Sequence, residues 1–208
     1  MKIKKIFFAT TNKSKWKDFK IWCSNVDYKH LTPFDISKSL WPKFEENGIT
    51  YEENARIKAL NWSNVVSDVF VLANDCGLDI PALGRNWEGI LTKRLVGGDE
   101  SSDFKKIQKF IDIMKDLKGE DRTMQWYDVI VIAKNGKILG TSAAKGPKGY
   151  AIEKLNENLI IIPGAALATV DFRPQYGKVY SEFTDKEMKE SDQYMIKPFQ
   201  KLIEKIVV

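Results

Sequence analysis

The chain has 208 residues, 43% hydrophobic and 29% charged, so it is neither a disordered tail nor a disulfide-stabilised miniprotein. Lysine and arginine number 33 against 28 acids, and the resulting charge of +5 favours an anionic partner, either nucleic acid or a phosphorylated small molecule. No apolar run reaches the roughly 18 residues of a transmembrane helix, and the N-terminus lacks a signal-peptide core. We therefore expect a cytoplasmic protein with no membrane partner.

The sequence offers little histidine or cysteine chemistry. His30 is the only histidine, and Cys23 and Cys76 do not have the spacing of a metal motif. A histidine triad or a histidine metal cluster would have to rest on one residue, which lies in a predicted short strand. Any catalysis should therefore use carboxylates, lysines and a hard metal ion.

Apolar periodicity predicts strands and helices in a mixed order, which is typical of an α/β fold with helices packed on one sheet. The predicted strands cover residues 3–9, 28–31, 69–73, 129–133, 137–143, 159–162 and 168–172. Helices are predicted to begin near Lys13, Tyr51 and Ser102, and another ends the chain. Asn135-Gly136 predicts a hairpin turn, and residues 84–100 are expected to be mobile.

Three segments combine polar side chains with the end of a predicted strand or the start of a predicted helix. They are residues 9–15, 48–59 and 72–78. Taken singly, each has an ordinary structural explanation, since Lys15 can be a solvated lysine and Glu53 a helix cap. Asp75 would lie in a turn that closes the strand of residues 69–73, where aspartate is favoured for local hydrogen bonds.

Taken together, the segments resemble the motifs of the inosine triphosphate pyrophosphatase family, which hydrolyses non-standard purine nucleoside triphosphates. The first motif, Ala-Thr-Gly-Asn with a lysine three residues later, is matched by residues 9–12 and Lys15, with Thr11 in place of the glycine. The second motif has an aromatic residue before Glu-Asn-Ala and Lys-Ala, and it is matched by Tyr51 and residues 53–59.

The third motif of the family, Ala-Asp-Asp-Ser-Gly-Leu, appears here as residues 73–78 with Asn74 and Cys76 replacing an aspartate and a serine. Arg94 falls where the family has the arginine of Ser-Ala-Arg. Because one carboxylate of the family's pair is missing, we expect weaker Mg²⁺ affinity than in typical relatives.

The resemblance implies a Mg²⁺-dependent nucleoside triphosphate diphosphatase, which releases pyrophosphate and a nucleoside monophosphate. Glu53 and Asp75 are the implied metal ligands, and with Lys15 they are the implied catalytic residues. Asp75 would also orient or deprotonate the attacking water. The implied substrate-binding residues are Thr10, Thr11, Asn12, Lys15, Lys58, Cys76, Gly77 and Arg94.

The family's base-reading motifs are replaced in this chain. Residues 164–169 stand where the family has Gly-Phe-Gly-Tyr-Asp-Pro, and Asp192-Gln193-Tyr194 stands near the position of its Ser-His-Arg. We therefore predict altered base selectivity, and Trp87 is one hypothetical platform for the base. The accepted base is left open.

The resemblance also implies a single inosine triphosphatase-like domain over residues 1–208. Its expected fold is an elongated, two-lobed α/β structure with a long twisted mixed sheet and a cleft between the lobes, and the protein is expected to be a homodimer. One alternative is a catalytically inactive nucleotide sensor of the same fold. Another is a basic nucleic-acid-binding protein, but only the net charge and a lysine-bearing helix face, Lys13, Lys17 and Lys20, support it.

Overall fold

The protein is an α/β structure in a computed structural model that describes residues 2–156 and 158–206. The helices are α1 (Lys13–Trp22), α2 (Tyr51–Val65), α3 (Thr92–Leu95), α4 (Asp103–Ile113), α5 (Asp185–Ser191) and α6 (Gln193–Ile206). The strands are β1 (Lys2–Phe8), β2 (Asp27–Leu31), β3 (Phe70–Asp79), β4 (Thr123–Lys134), β5 (Lys137–Lys145), β6 (Gly149–Ala151), β7 (Asp171–Arg173) and β8 (Lys178–Val179). None of these helices is long and apolar enough to cross a membrane.

The eight strands form one mixed sheet, which confirms the predicted α/β class. Their order is β2-β1-β3-β4-β6-β7-β8, and β5 pairs with β4. β1 runs parallel to both β2 and β3, whereas β6 runs antiparallel to β4 and β7. Parallel neighbours need a crossover connection, and α1 and α2 lie in the connections from β1 to β2 and from β2 to β3.

The chain divides into two compact units. Unit 1 contains Met1–Cys76, Asp128–Ala144 and Asp192–Val208, and unit 2 contains Gly77–Tyr127 and Lys145–Ser191. The chain therefore contributes three separate stretches to unit 1. The predicted single domain of residues 1–208 stays a prediction, and it includes four residues outside the described ranges, Met1, Glu157, Val207 and Val208.

Each unit has its own hydrophobic core. In unit 1, fully buried residues of β1, α1, β3, β4 and α6 pack together, among them Phe8, Phe19, Leu72, Ile130 and Phe199. In unit 2, the core includes Leu78, Ile107, Phe110, Met124 and Val170. Burial of these apolar side chains is the main favourable contribution to folding of each unit.

Trp87 belongs to the core of unit 2. Its side chain is buried, its indole N–H donates to the Leu78 carbonyl oxygen at 2.6 Å, and its ring lies edge-on against Phe110. These contacts explain the tryptophan by packing, so the hypothesis that Trp87 forms a base platform has no support in the structure.

Local sequence signals place the helix starts where they were predicted. The Asn12 side chain accepts a hydrogen bond from the Ser14 backbone N–H at 2.9 Å and caps α1. The Thr50 hydroxyl accepts one from the Glu53 N–H at 3.1 Å and caps α2. Such caps satisfy amides that have no partner inside the helix.

The predicted hairpin is also confirmed. β4 and β5 are joined by Asn135 and Gly136, whose φ angles of 49° and 70° are both in the left-handed region that a two-residue type I′ turn requires. Asparagine and glycine tolerate that region better than other residues, which is why this dipeptide predicts the turn.

Three sequence predictions are corrected. β3 continues to Asp79, so Asn74 and Asp75 lie within the strand, where a closing turn was predicted. Residues 159–162 are not a strand, and Leu159 and Ile161 pack against the core of unit 2 from an irregular segment. Residues 168–172 divide between a 3-10 turn, Ala166–Thr169, and β7.

Candidate active site

The second and third motifs come together where α2 packs beside β3 in unit 1. The Lys58 ammonium lies 3.0 Å from Asp75 Oδ1 and 2.8 Å from Glu46 Oε2. The Asn54 amide nitrogen is 3.5 Å from Asp75 Oδ2. Asn54 and Lys58 are four residues apart and therefore share one face of α2, which is the face turned towards Asp75.

The first motif reaches the same strand through Lys15. The Lys15 ammonium donates to Asn74 Oδ1 at 2.8 Å. Burial alone would lower the pKa of Lys15, but Cys76, Asp75 and Asp128 around the ammonium outweigh it and raise the pKa above its ordinary value. Lys15 therefore carries its positive charge throughout the physiological pH range.

A deeper layer of polar side chains lies behind Asn74. The Asn74 amide nitrogen donates to Asp128 Oδ1 at 3.1 Å, and the Tyr194 hydroxyl donates to Asp128 Oδ2 at 2.7 Å. Burial raises the pKa of Asp128, and the hydrogen bond from Tyr194, the charge of Lys15 and the hydrogen bond from Asn74 oppose that rise. Sequence reasoning missed Asp128 as a site residue, although a carboxylate next to the buried apolar run of residues 129–133 was a signal.

Two further carboxylates belong to this side of unit 1. Asp192 Oδ2 accepts a hydrogen bond from the Trp22 indole N–H at 3.2 Å. Burial, followed by the negative charges of Asp192 and Asp128, raises the pKa of Asp18 to about 8. Several carboxyl groups therefore lie close together near Lys15.

The Cys76 thiol adjoins Lys15. Burial raises the pKa of Cys76 to about 12, and the positive charge of Lys15 opposes this rise only in part. The side chain is therefore a neutral thiol at physiological pH and can interact with the ammonium only as a weak polar group.

The loop of residues 10–12 lies between β1 and α1. The Thr10 hydroxyl accepts from the Asn12 N–H at 3.1 Å, and the Thr10 carbonyl accepts from the Trp16 indole N–H at 2.9 Å. The Asn12 side chain caps α1, and Thr11 is exposed. These bonds hold the loop at a helix N-terminus, where backbone amides favour an anion.

Glu53 is placed differently from the other motif residues. Its side chain is exposed, and its Oε2 accepts a hydrogen bond from the Ile49 backbone N–H at 2.7 Å. The adjacent residue, Asn54, is the one whose amide faces Asp75. The structure thus shows a capping contact for Glu53, and its role as a metal ligand stays a prediction.

Two predicted substrate-binding residues belong to unit 2. Gly77 follows Cys76 in β3, and Arg94 is exposed on α3. The Thr92 hydroxyl at the start of α3 accepts a hydrogen bond from the Leu78 N–H at 3.0 Å, which ties this short helix to β3. The roles of Gly77 and Arg94 towards a substrate stay predictions.

The donor set fits Mg²⁺ shared with a substrate. Across residues 2–156 and 158–206, no group of three or more histidine, cysteine, aspartate or glutamate side chains converges as in a closed metal site. Mg²⁺ commonly uses one or two carboxylates and completes its shell with water and substrate phosphates. Asp75, whose side chain is 15% exposed, offers such a carboxylate beside Lys58.

Comparisons with known proteins agree with the motifs. A sequence model of the Ham1 family matches residues 6–147. A protein of Oceanobacillus iheyensis named dITP/XTP pyrophosphatase is 38% identical over 136 residues, which are 65% of this chain and 66%, just under two thirds, of that protein. A protein of the same name from Wigglesworthia glossinidia brevipalpis is 30% identical over 189 residues, 89% of this chain and 88% of that protein.

The fold is shared with a solved structure. The HAM1 protein from Coxiella burnetii superposes with a TM-score of 0.74 over 97% of this chain and 100% of that one, at 22% sequence identity. The family model covers well over half of the chain, and its match begins in β1 and includes all three motifs. The chain therefore belongs to the Ham1 family, and the resemblance to the inosine triphosphate pyrophosphatases is confirmed.

Proposed function

We propose that this chain is a Mg²⁺-dependent pyrophosphatase that hydrolyses a non-standard nucleoside triphosphate to its monophosphate and pyrophosphate. The reaction class rests on family membership and on curated relatives named for this activity. The observation that carries the proposal in the structure is the convergence of two cations, Lys15 and Lys58, on β3 beside the carboxylate of Asp75.

The two lysines bind phosphate oxygens in the proposed mechanism. Lys58 is held by Asp75 and Glu46, and Lys15 is held by Asn74, so each ammonium is positioned before substrate arrives. A third phosphate contact comes from the loop of Thr10 and Asn12 at the start of α1. Preorganised charges of this kind stabilise the charge that develops on the phosphoryl oxygens in the transition state.

Asp75 is the proposed proton acceptor. Its Oδ1 is paired with Lys58, while among the described residues its Oδ2 has only the long contact with Asn54. Oδ2 is therefore the atom that orients the attacking water and takes its proton as the oxygen attacks the α-phosphorus. Asp75 and Glu53 are the proposed Mg²⁺ ligands, and when bound the ion neutralises charge on the triphosphate and polarises a phosphoryl oxygen.

Altered base selectivity is supported by the positions of the replaced motifs. Ala166–Thr169 forms a buried 3-10 turn of small and aliphatic residues, which offers no aromatic surface or carboxylate to a base. Asp192 and Tyr194 have partners within unit 1, Trp22 and Asp128 respectively. The residues that discriminate bases in this chain must therefore differ from those of the family's motifs.

Two further proposals rest on the resemblance, and they are a single functional domain made of both units and a homodimer. A cytoplasmic location, which follows from the composition, is the third. Light scattering of the purified protein tests the dimer, and a mass near 24 kDa, that of one 23.9 kDa chain, would contradict it.

The decisive experiment measures pyrophosphate release from ITP, dITP, XTP, dUTP, the standard nucleotides and several modified pyrimidines, with Mg²⁺ and with a chelator. We expect release from one or a few nucleotides, and loss of that activity when the chelator removes Mg²⁺. Saturable nucleotide binding without release from any member of the panel would instead support the nucleotide sensor, to which the replacement of an aspartate by Asn74 also points.

A further inference from the structure

Every polar atom of the Asn74 side chain is engaged. The amide nitrogen lies within 3.2 Å of three acceptors, the carbonyl oxygens of Asp75 and Val129 and the carboxylate Oδ1 of Asp128. The amide oxygen accepts from Lys15 at 2.8 Å. If the amide were rotated by 180°, its oxygen would face three acceptor oxygens and its NH₂ group would face the Lys15 ammonium. Both contacts would be repulsive, so only one orientation of the amide satisfies its partners.

Asp128 sits at the centre of this arrangement. Its two oxygens accept hydrogen bonds from different donors, Oδ1 from Asn74 and Oδ2 from the Tyr194 hydroxyl. Two donors at two oxygens are contacts that an ionised carboxylate can satisfy fully, since it has no proton of its own to donate. Asp128 is 6% exposed and lies on β4, whereas Tyr194 lies on α6.

Packing of the core does not explain a carboxylate at position 128, because a buried charge carries a desolvation penalty. The five residues that follow Asp128 in β4, Val129 to Ala133, are all buried and apolar. An apolar residue in place of Asp128 would extend that run without the desolvation penalty of a buried charge. The charge is compensated by the Lys15 ammonium, which lies on the opposite side of the Asn74 amide.

We propose that Asp128, held by Tyr194, is a positioning residue for Lys15 that acts through Asn74. The carboxylate on β4 fixes the Asn74 amide with its oxygen towards Lys15, and it supplies the negative charge that an aspartate at position 74 would otherwise carry. The consequence for catalysis rests on the proposed function of Lys15, but the coupling between positions 74 and 128 rests on the geometry alone.

The test exchanges the two side chains. Asp128→Asn removes the negative charge, and Asn74→Asp brings two carboxylates into contact. In the double variant N74D/D128N, one oxygen of the new aspartate faces Lys15, and the new asparagine donates to the other oxygen while still accepting from the Tyr194 hydroxyl. That other oxygen still lies against the carbonyl oxygens of Asp75 and Val129, so the exchange relieves one of the three unfavourable contacts. Asp116→Asn, an exposed site, is the control for a change from aspartate to asparagine.

Pyrophosphate release is measured well below the melting temperature of each variant. We expect each single substitution to lower kcat by about tenfold or more, with KM changed less than about threefold because Lys58 still binds phosphate. The loss of kcat in the double variant should be clearly smaller than the product of the two single losses. Recovery is expected to be partial, because the aspartate at position 74 still lies against the carbonyl oxygens of Asp75 and Val129. A purely structural role for Asp128 would lower the melting temperature without lowering kcat of the folded enzyme.

Two results would overturn the inference. One is a kcat for both single variants within twofold of the parent, and the other is a double variant whose loss is the product of the single losses. If Asp128→Asn does not fold, Tyr194→Phe replaces it, because loss of the hydroxyl frees one Asp128 oxygen and should lower kcat several-fold.

The melting temperatures separate this inference from the proposed function. Both single variants should melt several degrees below the parent, and the melting temperature of the double variant should fall by less than the sum of the two single losses whether or not any nucleotide is hydrolysed. If the melting temperatures show this non-additivity but the parent hydrolyses no nucleotide, the proposed pyrophosphatase function is rejected and the coupling between positions 74 and 128 is kept. If the parent is active but the losses in melting temperature of the two single variants simply add in the double variant, only the coupling between positions 74 and 128 is rejected.

Discussion

Lys58 and Asp75 form an ion pair, with 3.0 Å between the ammonium nitrogen and one carboxylate oxygen, and their side chains are 11% and 15% exposed. Such a pair is weak evidence for stability, because removing two charges from water offsets much of their attraction. Its position between α2 and β3 gives it another use. It presents a cation and a carboxylate together, which is what a triphosphate with a hydrolytic water requires.

Replacing Asp75 by asparagine should remove turnover and leave the fold intact. The substitution deletes the proposed proton acceptor and metal ligand, so kcat should fall about 10²-fold or more. Asp79→Asn on the same strand is the matched control, since that carboxylate is about half exposed and pairs with Lys145. Normal pyrophosphate release by the Asp75 variant, with the control also normal, would remove Asp75 from the mechanism.

Glu53→Gln separates the capping contact of Glu53 from its predicted metal role. A glutamine oxygen can still accept from the Ile49 N–H, so the free energy of unfolding should change by less than about 1 kcal/mol. The Mg²⁺ concentration needed for half-maximal activity should rise at least several-fold. Thr50→Ala, the control, should cost about 1 kcal/mol of stability without changing the Mg²⁺ requirement. An unchanged requirement in the Glu53 variant would leave Glu53 as a cap only.

Gly149→Ala should destabilise unit 2 severely. A Cβ at this position would overlap Asp171 Oδ1 and lie 3.1 Å from Arg173 Nε. Those two residues form a buried, bidentate ion pair, and disrupting such a pair costs roughly 3–5 kcal/mol of folding free energy. Gly119→Ala has open space around it and should lose only about 1 kcal/mol, from its positive φ of 52°. If chemical denaturation shows the same loss of unfolding free energy for Gly149→Ala and Gly119→Ala, the added Cβ at residue 149 does not overlap Asp171.

The stability of the protein should depend on pH through Asp18. Its pKa is raised from 3.8 to about 8 by burial and by Asp192 and Asp128, so the folded state holds a proton that the unfolded state releases. The stability from this proton is fully present below pH 4 and is lost as the pH rises towards 8. Asp18→Asn keeps a neutral side chain at all pH values.

The measurement is denaturant unfolding of the parent and the Asp18→Asn variant from pH 5 to pH 9. The stability of the variant relative to the parent should increase across this range. Asp27→Asn, at an exposed position of β2, is the control for the change from aspartate to asparagine. A stability difference between parent and Asp18→Asn that stays constant from pH 5 to pH 9 would show that the folded state does not retain the proton.

Local patterns were sufficient to predict much of the fold. The starts of α1 and α2 follow from Asn12 and Thr50, and the hairpin follows from Asn135-Gly136. The motif residues Lys15 and Lys58 could be assigned to one site because their motifs resemble those of one family. Each of these features depends on a short stretch of chain.

The features that sequence reasoning missed depend on contacts between distant residues. β3 continues through Asn74 beside β4, and the Asn74 amide donates to acceptors on β4 that are 54 and 55 residues away along the chain. The apolar run of residues 159–162 looked like a strand, but its side chains pack on a core and it pairs with no strand in the described part of the chain. The Asp128–Tyr194 hydrogen bond spans 66 residues, which no periodicity could indicate.

Unit 1 draws on the beginning, the middle and the end of the chain, and this arrangement has a consequence for biosynthesis. A ribosome makes β1 and α1 before β4 and α6, but the core of unit 1 needs all four elements. The nascent polypeptide should therefore expose apolar surface of this core until α6 has been made, a state in which it can aggregate or bind chaperones. Premature termination anywhere before α6 should yield insoluble fragments.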